Sequence, residues 1–586
     1  MSGNLAQAVM ENDLENQPFN IKRLPRELQE YVFLQLSYPV VIRLRVINKN
    51  FREIIDEDMF WKLKTRRDFG VPEEAPKADA VTGNPVESWK EVYLSYGKLL
   101  KEDLFQAVKS NNSQLVQNLL DLGVNPNIKS EDLLTPLMLA SGKSQTAIVR
   151  MLLNAGANPN LAGGYGRTIL MLTSLIGLTA IVEILLNAGA DPNLADQSGE
   201  TALMKASDQG HADIVKMLLK AKADPNLMNI WERAALMMAS GRGHADIVKM
   251  LLKAKADPNL EDKDGKTALI SASRYGHTDT VKALLDARAN PNHATKDGRT
   301  ALTLASDQGH TAIVRILLKA GANPDLANGY GRTALMLASG KGDAAIVRIL
   351  LEARANTNLA NDYEVTALML ASYGGSAVIV RMLLEAGADP DLEDKDGKTA
   401  LISASYRGNT AIVEILLYRG AKLDLPNRSG RTALMQASEK GHTVIVRILL
   451  YRGANPDFAD ADGNTALMLA SGRGHTDIVR MLLEARANPD FVDADGNTAL
   501  MLASQYDYAA IVRILKNAKK FQNKKSQTRK PSGSSDLKTL KVNELRYIAT
   551  KYKIRGRSKA TTKDKLIALL KANLSPEVLY REMHYL

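Results

Sequence analysis

The sequence contains no cysteine and only three tryptophans in 586 residues. The lack of cysteine excludes disulfides and thiolate metal sites, and it fits a reducing compartment. No run of 18 apolar residues occurs, so we expect no membrane-spanning helix. Residues 1–20 lack an apolar core of signal-peptide length. We therefore expect an intracellular protein of the cytoplasm or the nucleus, with no membrane partner.

Positive charge is concentrated near the carboxyl end of the chain. Residues 516–586 hold 19 Lys and Arg against 5 Asp and Glu, a balance of +14. Because the whole chain carries +11, residues 1–515 carry −3. This asymmetry predicts a polyanionic partner for the tail. The alternative is a solvated linker that keeps the protein soluble.

A short segment, typified by residues 465–471, recurs every 33 residues without insertion. Twelve copies begin with Thr-Ala-Leu or a close variant, at Thr135, Thr168, Thr201, Ala234, Thr267, Thr300, Thr333, Thr366, Thr399, Thr432, Thr465 and Thr498. Residues 101–127 keep only the second half of the pattern, which indicates a thirteenth, capping unit. A fixed period of this size predicts a solenoid of stacked units that grows by adding neighbours.

Each unit predicts two antiparallel helices and a projecting loop. In residues 462–494, Asp462-Gly463 is a turn signal, residues 465–470 form a short helix, and Gly474 ends it. A second helix follows over residues 477–483. The Gly-His-x-x-Ile-Val pattern, as in residues 243–252, strongly resembles the ankyrin repeat family. The resemblance implies an all-α ankyrin-repeat solenoid over residues 101–518 that binds other proteins.

The repeats depart from the family's Thr-Pro-Leu-His motif, because Met, Ile or Thr replaces the His in every unit. We expect the hydrogen bonds of that His to be absent, Met packing to substitute, and the loops to be more softly coupled. Six other histidines share one turn position, at 211, 244, 277, 310, 442 and 475. Their regular spacing indicates a structural role rather than metal binding or catalysis.

Two positions of the 33-residue unit vary from repeat to repeat while the rest of the pattern stays constant. The equivalent residues at each of these positions, 33 apart along the chain, form a column. At the loop tips, aromatic residues replace the usual acids at Tyr165, Trp231, Tyr330 and Tyr363. We predict that these four, with Tyr373 and Tyr406 at the end of the first helix, form the target-binding face. The alternative is that they pack on adjacent loops.

The second variable column closes the second helix. It is Gly in six units and Lys or Arg in five, at Lys222, Lys255, Arg288, Arg354 and Arg486. If the backbone keeps a positive φ there, each cation costs roughly 1 kcal/mol. The cations either form a basic stripe or are the result of sequence drift that a stable array tolerates.

The amino-terminal region predicts a small three-helix bundle over residues 18–66, followed by a linker with a connecting helix over residues 67–100. Leu24-Pro25-x-Glu27-Leu28, the apolar stripe through Val32, and the later Leu44, Val46 and Trp61 resemble the F-box family, although Asn48 and Phe51 depart from its pattern. The resemblance implies contact with a Skp-type adaptor of a cullin–RING ubiquitin ligase, through Leu24, Pro25, Leu28, Val32, Leu44, Val46 and Trp61. The alternative is a helical cap on the first repeat.

Beyond the array, residues 519–535 predict a basic, flexible linker whose paired lysines are either a nuclear-import signal or simply solvated. Residues 536–586 then predict two helices around an extended loop. Their order resembles the SAP and Rho-amino-terminal modules, which mostly bind nucleic acid. The resemblance implies phosphate contacts from Arg546, Lys551, Lys553, Arg555, Arg557 and Lys559. A protein-binding module and a terminal cap are the alternatives.

We find no nucleophile–base pair, metal cluster or phosphate-cradling glycine loop, so we expect a non-enzyme without cofactor or metal. The favoured function is a ubiquitin-ligase substrate receptor whose array holds an unknown target protein. A scaffold or decoy without a ubiquitin role, and a binding protein tethered to nucleic acid by its tail, are the alternatives. Long, nearly identical ankyrin arrays with an F-box are similar to those of large DNA viruses and some intracellular bacteria, which would place the protein in a host cell.

Overall fold

The structure is a computed structural model that describes residues 101–121, 124–528, 568 and 570. The predicted bundle and connecting helix before residue 101 lie outside the described residues, as does the predicted carboxyl-terminal module apart from its two single positions. The chain divides into two compact units after Ser429, and each is described by itself.

In the first unit, residues 101–109 are helical and are followed by nineteen α-helices and one 3-10 turn. The α-helices are α1 (Ser113–Asp121), α2 (Pro136–Gly142), α3 (Thr146–Asn154), α4 (Ile169–Ile176), α5 (Thr179–Asn187), α6 (Ala202–Gln209), α7 (Ala212–Lys220), α8 (Ala235–Arg242), α9 (Ala245–Lys253), α10 (Ala268–Tyr275), α11 (Thr278–Asp286), α12 (Ala301–Gln308), α13 (Thr311–Lys319), α14 (Ala334–Lys341), α15 (Ala344–Glu352), α16 (Ala367–Gly374), α17 (Ala377–Glu385), α18 (Ala400–Arg407) and α19 (Thr410–Tyr418). The 3-10 turn spans Gly164–Gly166.

The second unit repeats the same helix pair. Its helices are α20 (Ala433–Lys440), α21 (Thr443–Tyr451), α22 (Ala466–Gly472), α23 (Thr476–Glu484), α24 (Ala499–Gln505) and α25 (Ala509–Thr528). Even numbers therefore mark the first helix of each repeat and odd numbers the second. Over the described residues this arrangement confirms the predicted all-α solenoid. The capping unit has both helices, since residues 101–109 and α1 supply one each.

The first helix of each repeat begins at the Thr of the recurring segment. In α6, Thr201 has an extended backbone, and its hydroxyl accepts a hydrogen bond from the backbone N–H of Met204. Such an N-cap satisfies a helix-end donor that would otherwise lack a partner. Met also takes part, because the Thr168 N–H donates to the Met171 Sδ at 3.4 Å. Ala234 lacks the hydroxyl, and α8 has no side-chain cap.

The turn between the two helices explains the recurring Gly-His. Gly210 ends α6 with φ +82°, a conformation that glycine adopts without strain. A Cβ on Gly210 would come within 2.7 Å of the His244 ring of the next repeat. The Nε2 atom of His244 lies 3.2 Å from the Asp208 carbonyl oxygen. The histidines described in this way, at 211, 244, 277, 310 and 475, therefore link neighbouring repeats, as their spacing predicted.

The core lies between the first and second helices of each repeat. Leu203 of α6 and Val215 and Leu218 of α7 are essentially inaccessible to solvent. Burying one such side chain is worth about 1.5–3 kcal/mol. Ala206 is also fully buried, and its small size lets the first helices of neighbouring repeats approach closely.

A second buried column on the first helices is polar. Each member is a serine at most 1% exposed, and its hydroxyl has no hydrogen-bond partner among the described residues. The column comprises Ser141, Ser174, Ser207, Ser240, Ser273, Ser306, Ser339, Ser372, Ser405, Ser438 and Ser471. Polar groups buried in this way are costly, because they lose water without gaining a partner.

The loops are coupled to their neighbours by hydrogen bonds that do not need the missing His. The Asn226 side chain accepts from the backbone N–H of Asp257 at 2.8 Å and donates to the Lys255 carbonyl at 3.3 Å. Asn160 and Asn193 make the same pair of bonds one repeat apart. The structure therefore supplies loop-to-loop coupling from a source that the Met-for-His exchange does not touch.

The column that closes the second helix keeps its left-handed backbone where Gly is absent. Lys222, Lys255, Arg288, Arg354 and Arg486 have φ between 61° and 66°. A Cβ on the glycine of this column at Gly321 would meet no atom within 4 Å. The positive φ on which the predicted strain depends is therefore present at all five positions, and the cost itself stays a prediction.

One boundary needs correction. The flexible linker was predicted to begin at residue 519, yet α25 continues to Thr528. Residues 519–528 contain no Gly or Pro, and Lys and Gln are good helix formers, so nothing in this stretch ends the helix. Residues 529–535 of the predicted linker lie outside the described residues.

Candidate functional site

The four predicted tip aromatics, Tyr165, Trp231, Tyr330 and Tyr363, sit on loops whose backbone is firmly held, whereas Tyr373 and Tyr406 lie near the ends of α16 and α18. The Tyr363 N–H donates to the Asn361 side chain at 2.9 Å, and its carbonyl accepts from the Lys395 N–H at 3.0 Å. The Tyr330 carbonyl likewise accepts from the Asp362 N–H at 3.2 Å. Each tip is therefore tied to the next loop through its backbone, which leaves the side chain free to project.

All six predicted target-binding side chains are exposed on the first unit. Tyr165 is 75% exposed, and the others range from 40% to 60% (Trp231, Tyr330, Tyr363, Tyr373 and Tyr406). Their large exposed areas suit contact with a partner, because Tyr and Trp bury much surface with few rotatable bonds. The prediction that they bind a target stays a prediction.

Several of these rings carry a cation. The Lys395 Nζ lies 5.9 Å from the ring centre of Tyr363, and the Arg407 Cζ lies 4.7 Å from that of Tyr373. Arg167 is placed similarly, at 5.8 Å from the Tyr165 ring. An exposed cation–π contact is worth about 0.5–1 kcal/mol, enough to orient a ring. Three of the six aromatic side chains therefore each have a cation beside the ring.

Sequence reasoning missed a groove beside the loops. A cavity of about 990 Å³ runs along α6, α8, α10 and α12, and charged side chains line much of it. These include Glu200, Arg233, Lys266 and Arg299, which all stand one residue before the N-cap of the first helix of their repeats. The sequence does show that this position is charged in most repeats. Which residues of the neighbouring repeats each charge contacts becomes clear only once the repeats are stacked.

The floor of this groove holds a buried lysine. Lys205 occupies a position that is Leu in the majority of repeats and is only 5% exposed. Its ammonium group lies 2.7 Å from a Glu200 carboxylate oxygen and 3.0 Å from one of Asp196. Burial opposes ionisation of Asp196, but the backbone N–H of Glu200 and the Lys205 ammonium outweigh it and lower the pKa of the Asp196 carboxyl.

Other groove charges are also paired. Arg242 donates from Nε and Nη2 to both carboxylate oxygens of Asp208, at 3.1 and 3.4 Å, and this contact raises the pKa of the guanidinium. Lys266 donates to Asp264 at 2.6 Å and lowers the pKa of that carboxyl. The groove is therefore polar and largely self-neutralised. Across the part of the chain that the structure describes, no group of three or more His, Asp or Glu residues is arranged to hold a metal ion.

The repeated helix pair has a known counterpart. The family model described as ankyrin repeats (3 copies) matches the chain over six ranges, residues 104–196, 156–229, 236–328, 321–394, 368–460 and 445–526. The chain belongs to the ankyrin repeat family. A second family model, for the F-box domain, matches residues 21–63, so the chain carries an F-box ahead of its ankyrin array.

The ankyrin array is also similar to a solved structure, the ankyrin repeat domain of Bcl-3, described as a unique member of the IkappaB protein family. The two are 32% identical, and the match covers 37% of this chain and 100% of that one, with a TM-score of 0.34. A comparison with curated proteins finds no match. Within the described residues, no helix has the length and apolar character needed to cross a bilayer.

The remaining predicted site residues lie outside the described residues. These are the adaptor-binding set in the F-box (Leu24, Pro25, Leu28, Val32, Leu44, Val46 and Trp61) and the phosphate-binding set of the tail (Arg546, Lys551, Lys553, Arg555, Arg557 and Lys559).

Proposed function

We propose that the protein is a substrate receptor of a Skp–cullin–F-box ubiquitin ligase. The F-box binds a Skp-type adaptor, and the ankyrin array holds the target protein. The observation that carries this proposal is the combination of an F-box match with a long ankyrin array on one chain. Both are interaction domains, and together they provide one attachment to a ligase and one to a substrate.

The target is proposed to bind along the loop tips and groove of the first unit. The support is the exposure of Tyr165, Trp231, Tyr330 and Tyr363 on loops whose backbones are fixed by their neighbours. A preorganised loop loses little entropy on binding, so more of the contact energy remains as affinity.

The adaptor interaction is tested by pull-down of the full chain with a purified Skp-type adaptor. We expect the double variant Leu24→Ala/Pro25→Ala to lose binding, because it changes the opening of the F-box. Tyr363→Ser is the matched control, since it alters the array and leaves the F-box sequence intact. Equal binding by the double variant and the wild type would refute the proposed adaptor site.

The target-binding face is tested by changing the four tip aromatics to Ser together. Because the side chains are exposed, we expect the melting temperature to change little. Proteins recovered with the wild-type chain and absent with the adaptor alone should be lost with this variant. Retention of the same proteins at the same level would remove the tip residues from the target site.

The basic tail supports a second role. We propose that residues 536–586 attach the receptor to nucleic acid through phosphate contacts, which would favour a nuclear fraction of the protein. The balance of +14 over residues 516–586 is the supporting observation. Replacing Lys553, Arg555 and Arg557 by Gln should weaken binding of a labelled duplex and reduce its salt dependence. Unchanged affinity and salt slope would refute this attachment.

The setting of the receptor is also a proposal. On the resemblance of the array to those of large DNA viruses and some intracellular bacteria, we propose that it acts inside a host cell. Its targets would then be host proteins.

A further inference from the structure

In the first unit, six cations stand one residue before the N-cap of a first helix, and most of them are paired with a carboxylate. Five of the six contact a carboxylate, placed either at the loop tip two residues earlier or in the next loop 29 residues later. Lys266, Arg299 and Lys398 use the tip, at 2.6, 2.9 and 2.8 Å. Arg167 and Arg233 use the next loop, and each lies 3.7 Å from its carboxylate, on Asp196 and Asp262.

Arg332 is the sixth cation, and both of its compensating positions are neutral. The tip is Tyr330, and the position 29 residues later is Asn361. The Asn361 side-chain oxygen is already occupied, because it accepts from the backbone N–H groups of Tyr363 and Val365 at 2.9 and 3.0 Å. The exposed Arg332 guanidinium makes no ion pair with any described residue, including the acids Asp362 and Glu364 of the adjoining loop.

Exposed tyrosines lie on the loop of Arg332 and on the next loop. The loop of Arg332 carries Tyr330 and the next loop carries Tyr363, which are 58% and 60% exposed. Arg407, which stacks on Tyr373, also forms no ion pair among the described residues. In earlier repeats, the positions equivalent to Arg332, Tyr373 and Arg407 line the groove, where they are occupied by Arg299, Arg274 and Tyr275. The repeat geometry therefore places these residues on the same face.

We propose that Arg332 binds a carboxylate of the target, so that the target presents an acidic segment to this part of the array. Tyr330 and Tyr363 flank that carboxylate, and Arg407, held by Tyr373, receives a second acidic side chain along the groove. A guanidinium pairs with a carboxylate through two parallel hydrogen bonds. This proposal rests on the proposed target-binding function and names the chemistry of its partner.

The pattern favours an acidic protein segment over nucleic acid. Binding a phosphate backbone requires a row of cations that releases many counterions. Here the cations of the same column on either side, Arg299 and Lys398, are already neutralised by Asp297 and Asp396. The uncompensated charge is local, and it suits one or two carboxylates.

The test uses the full chain and a phage-displayed library of random peptides as the probe. Peptides selected on the wild type should be enriched in Asp and Glu. Arg332→Gln should lower the affinity of the chain for the selected peptides by about tenfold or more, the loss expected for a charge-assisted hydrogen bond. Lys398→Gln is the matched control, because its cation is already paired with Asp396 and it does not line the groove, so its effect should stay below about threefold.

The outcomes separate this proposal from the function on which it rests. Selected peptides without acidic enrichment, or an equal effect of the two variants, would overturn the acidic chemistry. If such peptides still lose binding when Tyr330 and Tyr363 become Ser, the proposed target face survives and only the role of Arg332 fails. Tight binding of a labelled DNA duplex that depends on Arg332, with no peptide selected, would also overturn the proposal.

Discussion

The buried serine column makes a direct prediction about stability. Ser207, Ser240 and Ser273 occupy consecutive repeats and are inaccessible to solvent, and their hydroxyls have no hydrogen-bond partner in the described part of the chain. We expect the triple variant, with Ala at all three positions, to be more stable than the wild type. Alanine fits the same space, because it removes one atom and adds none.

The magnitude follows from three terms. Burying a hydroxyl without a hydrogen bond costs about 1–3 kcal/mol on protein mutational scales, and alanine removes that cost. Alanine is also the better helix former, by a few tenths of a kcal/mol. Loss of the oxygen removes several dispersion contacts worth about 0.1–0.2 kcal/mol each. The balance is about 1 kcal/mol per site, or about 3 kcal/mol for the triple variant.

The assay is guanidinium denaturation followed by far-UV circular dichroism, fitted with a nearest-neighbour description suited to repeat proteins. The triple variant should unfold at a higher denaturant midpoint. Ser504 is the control, because it occupies the same column but is exposed and donates to the Leu500 carbonyl at 2.8 Å. Ser504→Ala should bring no gain. A lower midpoint for the triple variant would refute the claim that the hydroxyls are unsatisfied.

Three further predictions concern the frame of the array. Arg354→Gly should raise the free energy of unfolding by about 1 kcal/mol because it relieves a φ of +61°, and the reverse change Gly321→Arg should lower it equally; no difference in denaturation midpoint would argue against strain. Asn226→Ala should lower the free energy of unfolding by about 1–2 kcal/mol because two inter-repeat hydrogen bonds are lost. Asn226→Asp should have an intermediate effect, since it keeps the acceptor oxygen. Equal denaturation midpoints would argue that the Asn hydrogen bonds between loops, the loop ladder, do not stabilise the array. The lowered pKa of Asp196 means that its contribution is present above about pH 4 and is lost as the pH falls through the folded-state pKa. Asp196→Asn should therefore flatten the acid side of the stability curve, and an unchanged slope would show that other carboxylates determine it.

Much of the frame was predictable because it depends on one unit repeated in phase. The Thr before each first helix, the Gly at its end and the Lys or Arg that replaces Gly after the second helix each act within a few residues of themselves. Their conformations follow from local rules for caps and left-handed backbone. The positive φ at Lys222 and Arg354, which the sequence analysis stated as a condition, is present in the structure.

The groove was not predictable in the same way. The contact of Arg233 with Asp262 and the isolation of Arg332 each depend on two loops one repeat apart. Lys205 is buried next to Asp196 and Glu200 of the preceding loop, which pair with its ammonium group. Such pairs become visible once the repeats are stacked, since neither partner is unusual by itself. The extension of α25 beyond residue 518 does not follow from the charge pattern, because paired lysines are typical of a linker although Lys is also a good helix former.

The loop ladder of the first unit has a mechanical consequence. Among the described residues, its side-chain hydrogen bonds between repeats join residues 28 to 37 apart, so each described repeat is hydrogen-bonded to its immediate neighbours. Under a pulling force, such a stack unfolds one repeat at a time. Each release frees 33 residues, which extend to about 110–120 Å. The array can therefore lengthen in nearly equal steps, one for each repeat that unfolds.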